Sequence, residues 1–292
     1  FEFFERGFIC SKPAKDYAES RKLNHKLIQI GYNSGTFHHS VNLSQDKKNE
    51  LIGKYEELGL LKKFNSGYSV FGKGCLVFPL RNEKNQIVSF YFREIDPDKS
   101  SKHYYLKNRQ GLYPNYPQKE TKSIIITESV IDAVSLKQSV SNDFTILANY
   151  GTEGGKEQIE TIEKLESLKE ITIFFDGDEA GKKGALKIAE ELQKKSEICN
   201  LQFAIKIVQT PENEDINGLL EGHPSVDVHG NLEIFNHLLE SAKLDSRLQD
   251  ERPLTLKEEV KNKSLNLESS SLLSLKLKGN LLKSEESLKV TI

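Results

Sequence analysis

Between residues 123 and 208 the chain alternates short, unbroken apolar runs with amphipathic stretches, and this pattern restricts the fold more than any other feature. Ser123-Ile-Ile-Ile-Thr127 and Ile171-Thr-Ile-Phe-Phe175 are apolar without a polar face, as expected of strands buried on both sides. Phe144 to Ala148 and Leu201 to Val208 read as two further strands. The intervening segments read as helices: Ser129 to Gln138, Glu157 to Lys169 and Gly181 to Lys195. The second carries Ile159, Ile162, Leu165 and Leu168 on one face, and the third carries Ala185, Ile188, Ala189 and Leu192. Strands and helices linked this closely form βαβ units, which require a parallel sheet flanked by helices.

Such a sheet brings the ends of its strands to one edge, where α/β folds place their sites. Glu128 directly follows the first apolar run, and Asp176 and Asp178 follow the third, separated by Gly177. Three carboxylates gathered at one edge repel and raise one another's pKa unless a cation lies among them. An oxygen-only, carboxylate-rich set suits Mg²⁺ or Mn²⁺ rather than Zn²⁺. Each acid has a plainer alternative role, capping the N-terminus of the helix that follows.

The flanking regions differ in character. Upstream, Lys15 to Gly31 and Lys47 to Leu61 read as helices. Cys75 to Leu80 and Ile87 to Phe92 read as strands joined by the polar turn Arg81–Gln86, a hairpin. Downstream, Leu232 to Ala242 reads as a helix and Lys243 to Arg252 as a linker. The expected division is a basic mixed α/β subdomain at 1–120, the parallel-sheet domain at 121–224, a helical extension and linker at 225–250, and a β-rich or disordered appendage at 251–292.

With 41 Lys and Arg against 43 Asp and Glu the net charge is -2, so a nucleic-acid partner would have to meet a local basic surface. One such segment stands out: Arg93, Lys102, His103, Lys107 and Arg109 are interleaved with Tyr91, Tyr104, Tyr105 and Tyr113. Basic groups bind phosphates and aromatic faces stack bases, although a solvated basic loop over a tyrosine-rich core has the same composition. The three cysteines, Cys10, Cys75 and Cys199, form no CxxC pair and read as buried thiols of a reducing, cytoplasmic compartment. No zinc-ligand spacing exists, and no apolar run reaches the roughly 20 residues of a membrane helix. A chain that starts at Phe1 and contains no Met reads as a piece of a longer protein.

The motifs Ile126-Thr-Glu128 and Phe174-Phe-Asp176-Gly-Asp178-Glu-Ala-Gly181 resemble those of a Toprim domain, the fold shared by bacterial-type primases, topoisomerases and certain nucleases. The longer run Phe175 to Ala185 is similar to the form found in DnaG-type primases. In that resemblance Asp132 matches a second acid of the first motif, and Asn149-Tyr-Gly151-Thr152 matches a strand-to-loop Gly-Thr. Asp215, which also suits a plain helix N-cap, matches the last acidic motif. Upstream, Val77-Phe-Pro-Leu80, Gln86 to Arg93, Ser101 to Asn108 and Gly111-Leu-Tyr113 resemble the N-terminal half of a primase RNA-polymerase core, with Arg6-Gly7 in its helical lead-in. The family has a basic residue where this chain has Cys75, and its usual zinc module is not in this sequence.

The resemblance implies a DNA primase, a nucleotidyltransferase that makes short RNA primers on single-stranded DNA from ribonucleoside triphosphates. It implies Glu128, Asp176 and Asp178 as catalytic metal ligands, and Asp132 and Asp215 as extensions of the Mg²⁺ or Mn²⁺ site. Arg93, Lys102, Lys107, Gly151 and Thr152 would contact nucleotide or template. A replicative helicase is a further partner the resemblance suggests, and the variant tail points to a mobile element. Two alternatives stay open: a Toprim nuclease, and an inactive accessory protein that binds single-stranded DNA. A topoisomerase would need a tyrosine on a large DNA-gate domain, and none follows residue 250.

Overall fold

The computed structural model describes residues 1–39, 44–65, 67–150, 155–199 and 201–244, so the expected appendage at 251–292 lies outside the described residues. The chain opens with helices α1 (Glu2–Cys10) and α2 (Lys12–Ser20), strand β1 (Gly31–Tyr32) and helix α3 (Gln45–Glu57). Strands β2 (Leu61–Phe64), β3 (Gly67–Val70), β4 (Cys75–Arg81), β5 (Ile87–Glu94) and β6 (His103–Tyr105) follow. Then β7 (Ser123–Thr127), α4 (Val130–Lys137), β8 (Thr145–Ala148), α5 (Lys156–Ile162), β9 (Glu170–Phe174), α6 (Glu179–Cys199) and β10 (Ala204–Ile207) alternate as the sequence pattern requires. Helices α7 (Ile216–Gly222) and α8 (Glu233–Glu240) and strand β11 (Lys243–Leu244) complete the described region.

Two sheets organise these elements. The first, in the order β1-β4-β5-β6, is antiparallel, and its central hairpin is the expected one. Asn82 sets the hairpin turn by accepting hydrogen bonds from the Lys84 and Gln86 amides. Pro79 sits within β4 because β1 pairs only with Leu76 and Val77, so no ladder bond is lost on that side. The second sheet has the order β11-β10-β9-β7-β8, with the last four strands mutually parallel. The chain moves from β7 to β8 on one side, then crosses to β9 on the other. The ends of β7 and β9 therefore meet at a topological switch point, with Thr127 in register with Phe174.

One apolar core joins the two sheets. Leu76, Phe78 and Tyr91 of the antiparallel sheet belong to the same buried cluster as Ile125, Val134, Phe174 and Phe235. Each such side chain contributes about 1.5–3 kcal/mol through removal from water. Asn217, 1% exposed, is fully used inside this core: it donates to Ser135 Oγ (2.9 Å) and Arg21 O (3.0 Å) and accepts from Arg21 Nη1 (3.0 Å).

Several local expectations are corrected. The helix expected over Lys15–Gly31 is α2, which starts earlier at the Ser11 cap with Pro13 in its first turn and ends at Ser20. Lys22 then adopts φ 55 and turns the chain, so Leu23 and Ile28 reach the core from turns while Leu27 is 59% exposed. The helix expected to run to Lys169 stops as α5 at Ile162. Beyond it Leu165 and Leu168 donate to carbonyls three residues back, in 3₁₀-like turns that keep both buried. Lys243 and Leu244, expected in a linker, pair antiparallel with β10 and close that edge. Only Cys75 is a buried thiol; Cys10 and Cys199 are exposed. Among the described residues no helix is long and apolar enough to cross a membrane.

Candidate active site

At the switch point the chain builds a cleft of about 370 Å³ between the carboxylate ends of β7 and β9 and the edge of the antiparallel sheet. Glu128, Asp132, Asp176 and Asp215 line it from one side, and Arg93, Lys102 and His103 from the other, with Arg21, Tyr105 and Tyr150 completing the wall. The β7–β9 pairing brings Glu128 and Asp176 together, and the core shared by the two sheets brings Arg93 and Asp215, more than 100 positions apart, into the same small volume.

Each acid reaches its place for a local reason. Glu128 is the first residue beyond β7, and Asp176 follows Phe175 at the end of β9. Asp132 lies in the first turn of α4, where Ser129 caps the helix by accepting from the Asp132 amide (3.3 Å) and donating to its carboxylate (2.5 Å). Asp215 caps α7, accepting from the Gly218 amide. The loop that delivers Asp215 crosses over Gly177: a Cβ at that glycine would lie 1.8 Å from Pro211 O. The Gly177 amide donates to Glu214 O (2.8 Å), and Thr210 Oγ1 donates to Phe175 O (2.5 Å). Glycine between the two aspartates is thus required by backbone contact with the next acidic segment.

Asp178 takes a different position. It is exposed, does not line the cleft, and caps α6 by accepting from the Gly181 amide (2.7 Å). Its charge still bears on Glu128 and Asp176.

The electrostatics of the acids are unfavourable in the absence of a cation. Burial, reinforced by Asp132 and Asp178, pushes Glu128 up to about 7. Burial and the charges of Asp132, Glu128 and Asp215 raise Asp176 well above the carboxylate range, and burial with Asp215 also raises Asp132. Glu128 Oε2 and Asp176 Oδ1 are buried without a hydrogen-bond partner. Buried carboxylate oxygens normally have partners, so two unpartnered ones in one cleft are what a hard cation would satisfy. Among the described residues no three His, Cys, Asp or Glu side chains close into a complete metal-ligand set. The two unpartnered oxygens of Glu128 and Asp176 suit Mg²⁺, which commonly takes one or two carboxylates and completes its shell with water and substrate phosphates.

The basic wall is anchored by neutral groups. Arg93 Nε donates to Tyr17 Oη (2.9 Å), and its Nη1 lies 2.7 Å from His103 Nε2. Lys102 Nζ donates to the carbonyls of Asp96 (2.6 Å) and Pro97 (3.0 Å). The Arg109 guanidinium stacks over the rings of Tyr105 (4.6 Å) and Tyr150 (4.5 Å). Lys107 is exposed and outside the cleft lining, and Gly151 and Thr152 lie outside the described residues. Cys75 is 1% exposed with its thiol 3.9 Å from Glu94 Oε2, and burial and that carboxylate push it up to about 12. Lys73 lies against Gly35 rather than in the cleft.

Sequence reasoning missed Arg21, Ser129, Tyr150 and Asn217. Ser129, three residues before Asp132, was available as a capping signal. Tyr150 had no such signal: it holds φ 62, a conformation rare for an aromatic residue, stabilised by its hydroxyl on Gly111 O (3.0 Å). Arg21 and Asn217 meet across 196 residues.

Two family models match in tandem. Residues 4–113 match the DNA primase catalytic core, N-terminal domain, and residues 125–220 match a Toprim-like domain. A DNA primase of Borreliella burgdorferi is 30% identical over 201 residues, which cover 61% of this chain and 36% of that protein. A DNA primase of Aquifex aeolicus is 23% identical over 261 residues, 83% of this chain and 50% of that protein. The chain spans about a third of the length of the first relatives it matches. Among solved structures, the Aquifex aeolicus primase (zinc binding and RNA polymerase domains) superposes with TM-score 0.65 at 20% identity, covering 91% of this chain and 62% of that one. A DnaG primase catalytic domain bound to ssDNA superposes with TM-score 0.62 at 18% identity, covering 91% and 88%. These structural likenesses carry the fold.

Proposed function

The chain belongs to the DnaG-type primases with a Toprim domain, and from that premise we propose that its cleft synthesises short RNA primers on single-stranded DNA. The observation that supports this reading is the pairing, within one cleft, of two unpartnered buried carboxylate oxygens with a basic wall. Carboxylates alone would suit many metal-dependent reactions. Opposed to Arg93 and Lys102, they suit a substrate that carries its own phosphates.

In this reading Glu128 and Asp176 hold Mg²⁺ or Mn²⁺, with Asp132 and Asp215 adding negative charge behind them and Asp178 at the rim. The cation, when bound there, lowers the pKa of an attacking hydroxyl and offsets charge on a pyrophosphate leaving group. The chain's own side chains do the positioning. Arg93, tethered by Tyr17 and His103, and Lys102, tethered by two carbonyls, present fixed positive charge to nucleotide or template phosphates. Lys107, Gly151 and Thr152 are assigned to the same substrate path. The functional division is kept at about residue 120, with the basic wall upstream and the acids downstream.

The test is direct: incubate the protein with single-stranded template, labelled ribonucleoside triphosphates and Mg²⁺ or Mn²⁺. Short RNA products should form, and Asp176→Asn should abolish them. Degradation of the template without incorporation would make the protein a Toprim nuclease. Template binding indifferent to Asp176→Asn, with neither incorporation nor cleavage, would make it an accessory binder.

A further inference from the structure

His103 is engaged through both ring nitrogens, and the chemistry of its partners fixes its protonation. Nε2 lies 2.7 Å from Arg93 Nη1, and a guanidinium nitrogen only donates, so Nε2 accepts. The ring is therefore not an imidazolium. Its one proton sits on Nδ1, which then donates to Tyr91 Oη at 2.8 Å. Tyr91 is wholly buried between Phe78 and Tyr105, so the hydroxyl that holds the imidazole is itself immobile. The surroundings agree: partial burial and the Arg93 charge push His103 down to about 4.

The second tether of Arg93 is also uncharged, the hydroxyl of Tyr17. Arg21, another arginine of the cleft wall, instead forms an ion pair with Glu221 at 3.1 Å, which offsets its charge. Among the described residues Arg93 has no such ion pair, although its charge reaches Asp132. An arginine held by two neutral acceptors is fixed in direction while keeping its full charge for an anion. A carboxylate in the place of His103 would fix the same guanidinium and cancel that charge.

We propose that His103 is a positioning residue, a neutral Nδ1–H imidazole that aims Arg93 into the cleft and leaves its positive charge available to substrate phosphate. The proposal rests on the reading of the cleft as a nucleotide and template site, and its experiment separates the two. Labelled single-stranded DNA is titrated against wild type, His103→Gln and His103→Glu at several salt concentrations. Glutamine supplies a neutral acceptor, so binding should stay within about threefold of wild type with the same salt slope. Glutamate should weaken binding about tenfold or more and reduce the slope by about one, the signature of one lost phosphate contact. Equal loss in both variants, or wild-type binding by His103→Glu, overturns the charge argument. In parallel, ¹⁵N spectra of the imidazole at pH 7 should show a protonated Nδ1 and a bare Nε2 that changes in Arg93→Ala. An Nε2–H tautomer or an imidazolium overturns the tether, whether or not DNA binds. If wild type binds no DNA, the phosphate role falls with the cleft reading, and the spectra still decide whether His103 orients Arg93.

Discussion

Glu128 and Asp176 are acids placed where ionisation is unfavourable, and their stability effects should have the opposite sign to their effects on activity. The pKa of Glu128 is raised in the fold, so its contribution to stability is present below its ordinary value of 4.5 and is lost as pH rises through about 7. In EDTA, Glu128→Gln should therefore melt progressively higher than wild type as pH climbs through that window, by roughly 2–4 °C for each kcal/mol relieved. His103 works in the other direction, its depressed pKa favouring the fold above 6.5, but it is common to both proteins and cancels in the comparison. A melting difference that is flat with pH would refute the strained-carboxylate account. Gly177 makes an independent prediction. Gly177→Ala must displace the Pro211 backbone and should cost about 1–3 kcal/mol in urea unfolding, as overpacking generally does.

At the level of elements, the site depends on how helices begin. Asp178 and Asp215 accept backbone amides at helix N-termini, and Asp132 accepts the hydroxyl of the residue that caps its helix, so the capping role and the site role are not exclusive. Ser129 shows the coupling most clearly, since one hydroxyl caps α4 and holds the Asp132 carboxylate. Ser129→Ala should lose about 1 kcal/mol of stability through the cap. It should also raise the Mg²⁺ concentration needed for the proposed primer synthesis, because Asp132 loses its donor. Unchanged metal dependence alongside the lost stability would confine Ser129 to capping.

For the molecule as a whole, the cleft is where two differently built sheets share a core, and the ligand it expects should report on the entire fold. A cation that binds only the folded chain stabilises it by mass action. At pH 8, Mg²⁺ should raise the melting temperature of wild type relative to EDTA, and Asp176→Asn should abolish that gain while melting higher than wild type in EDTA. A Mg²⁺ shift that persists in Asp176→Asn would place the cation elsewhere.

Much of this was written in local sequence. The apolar runs at 123–127 and 171–175 specify strands buried on both faces wherever they fold, because only a covered parallel sheet accommodates them. With the strand order of a βαβ fold, that pattern brings Glu128 and Asp176 to one edge. Periodicity failed where apolar spacing was compatible with both helix and turn, as at Leu23, Ile28, Leu165 and Leu168, all buried but none helical. Other features depend on contacts between distant segments and so have no local signal. The left-handed Tyr150, held by Gly111, and the Arg21–Asn217 contact are of this kind. The state of Arg93 is the clearest case. Sequence supplies a cation beside a histidine ten residues on, but only the packing of Tyr17, Tyr91 and His103 decides that its tethers are neutral and its charge remains available.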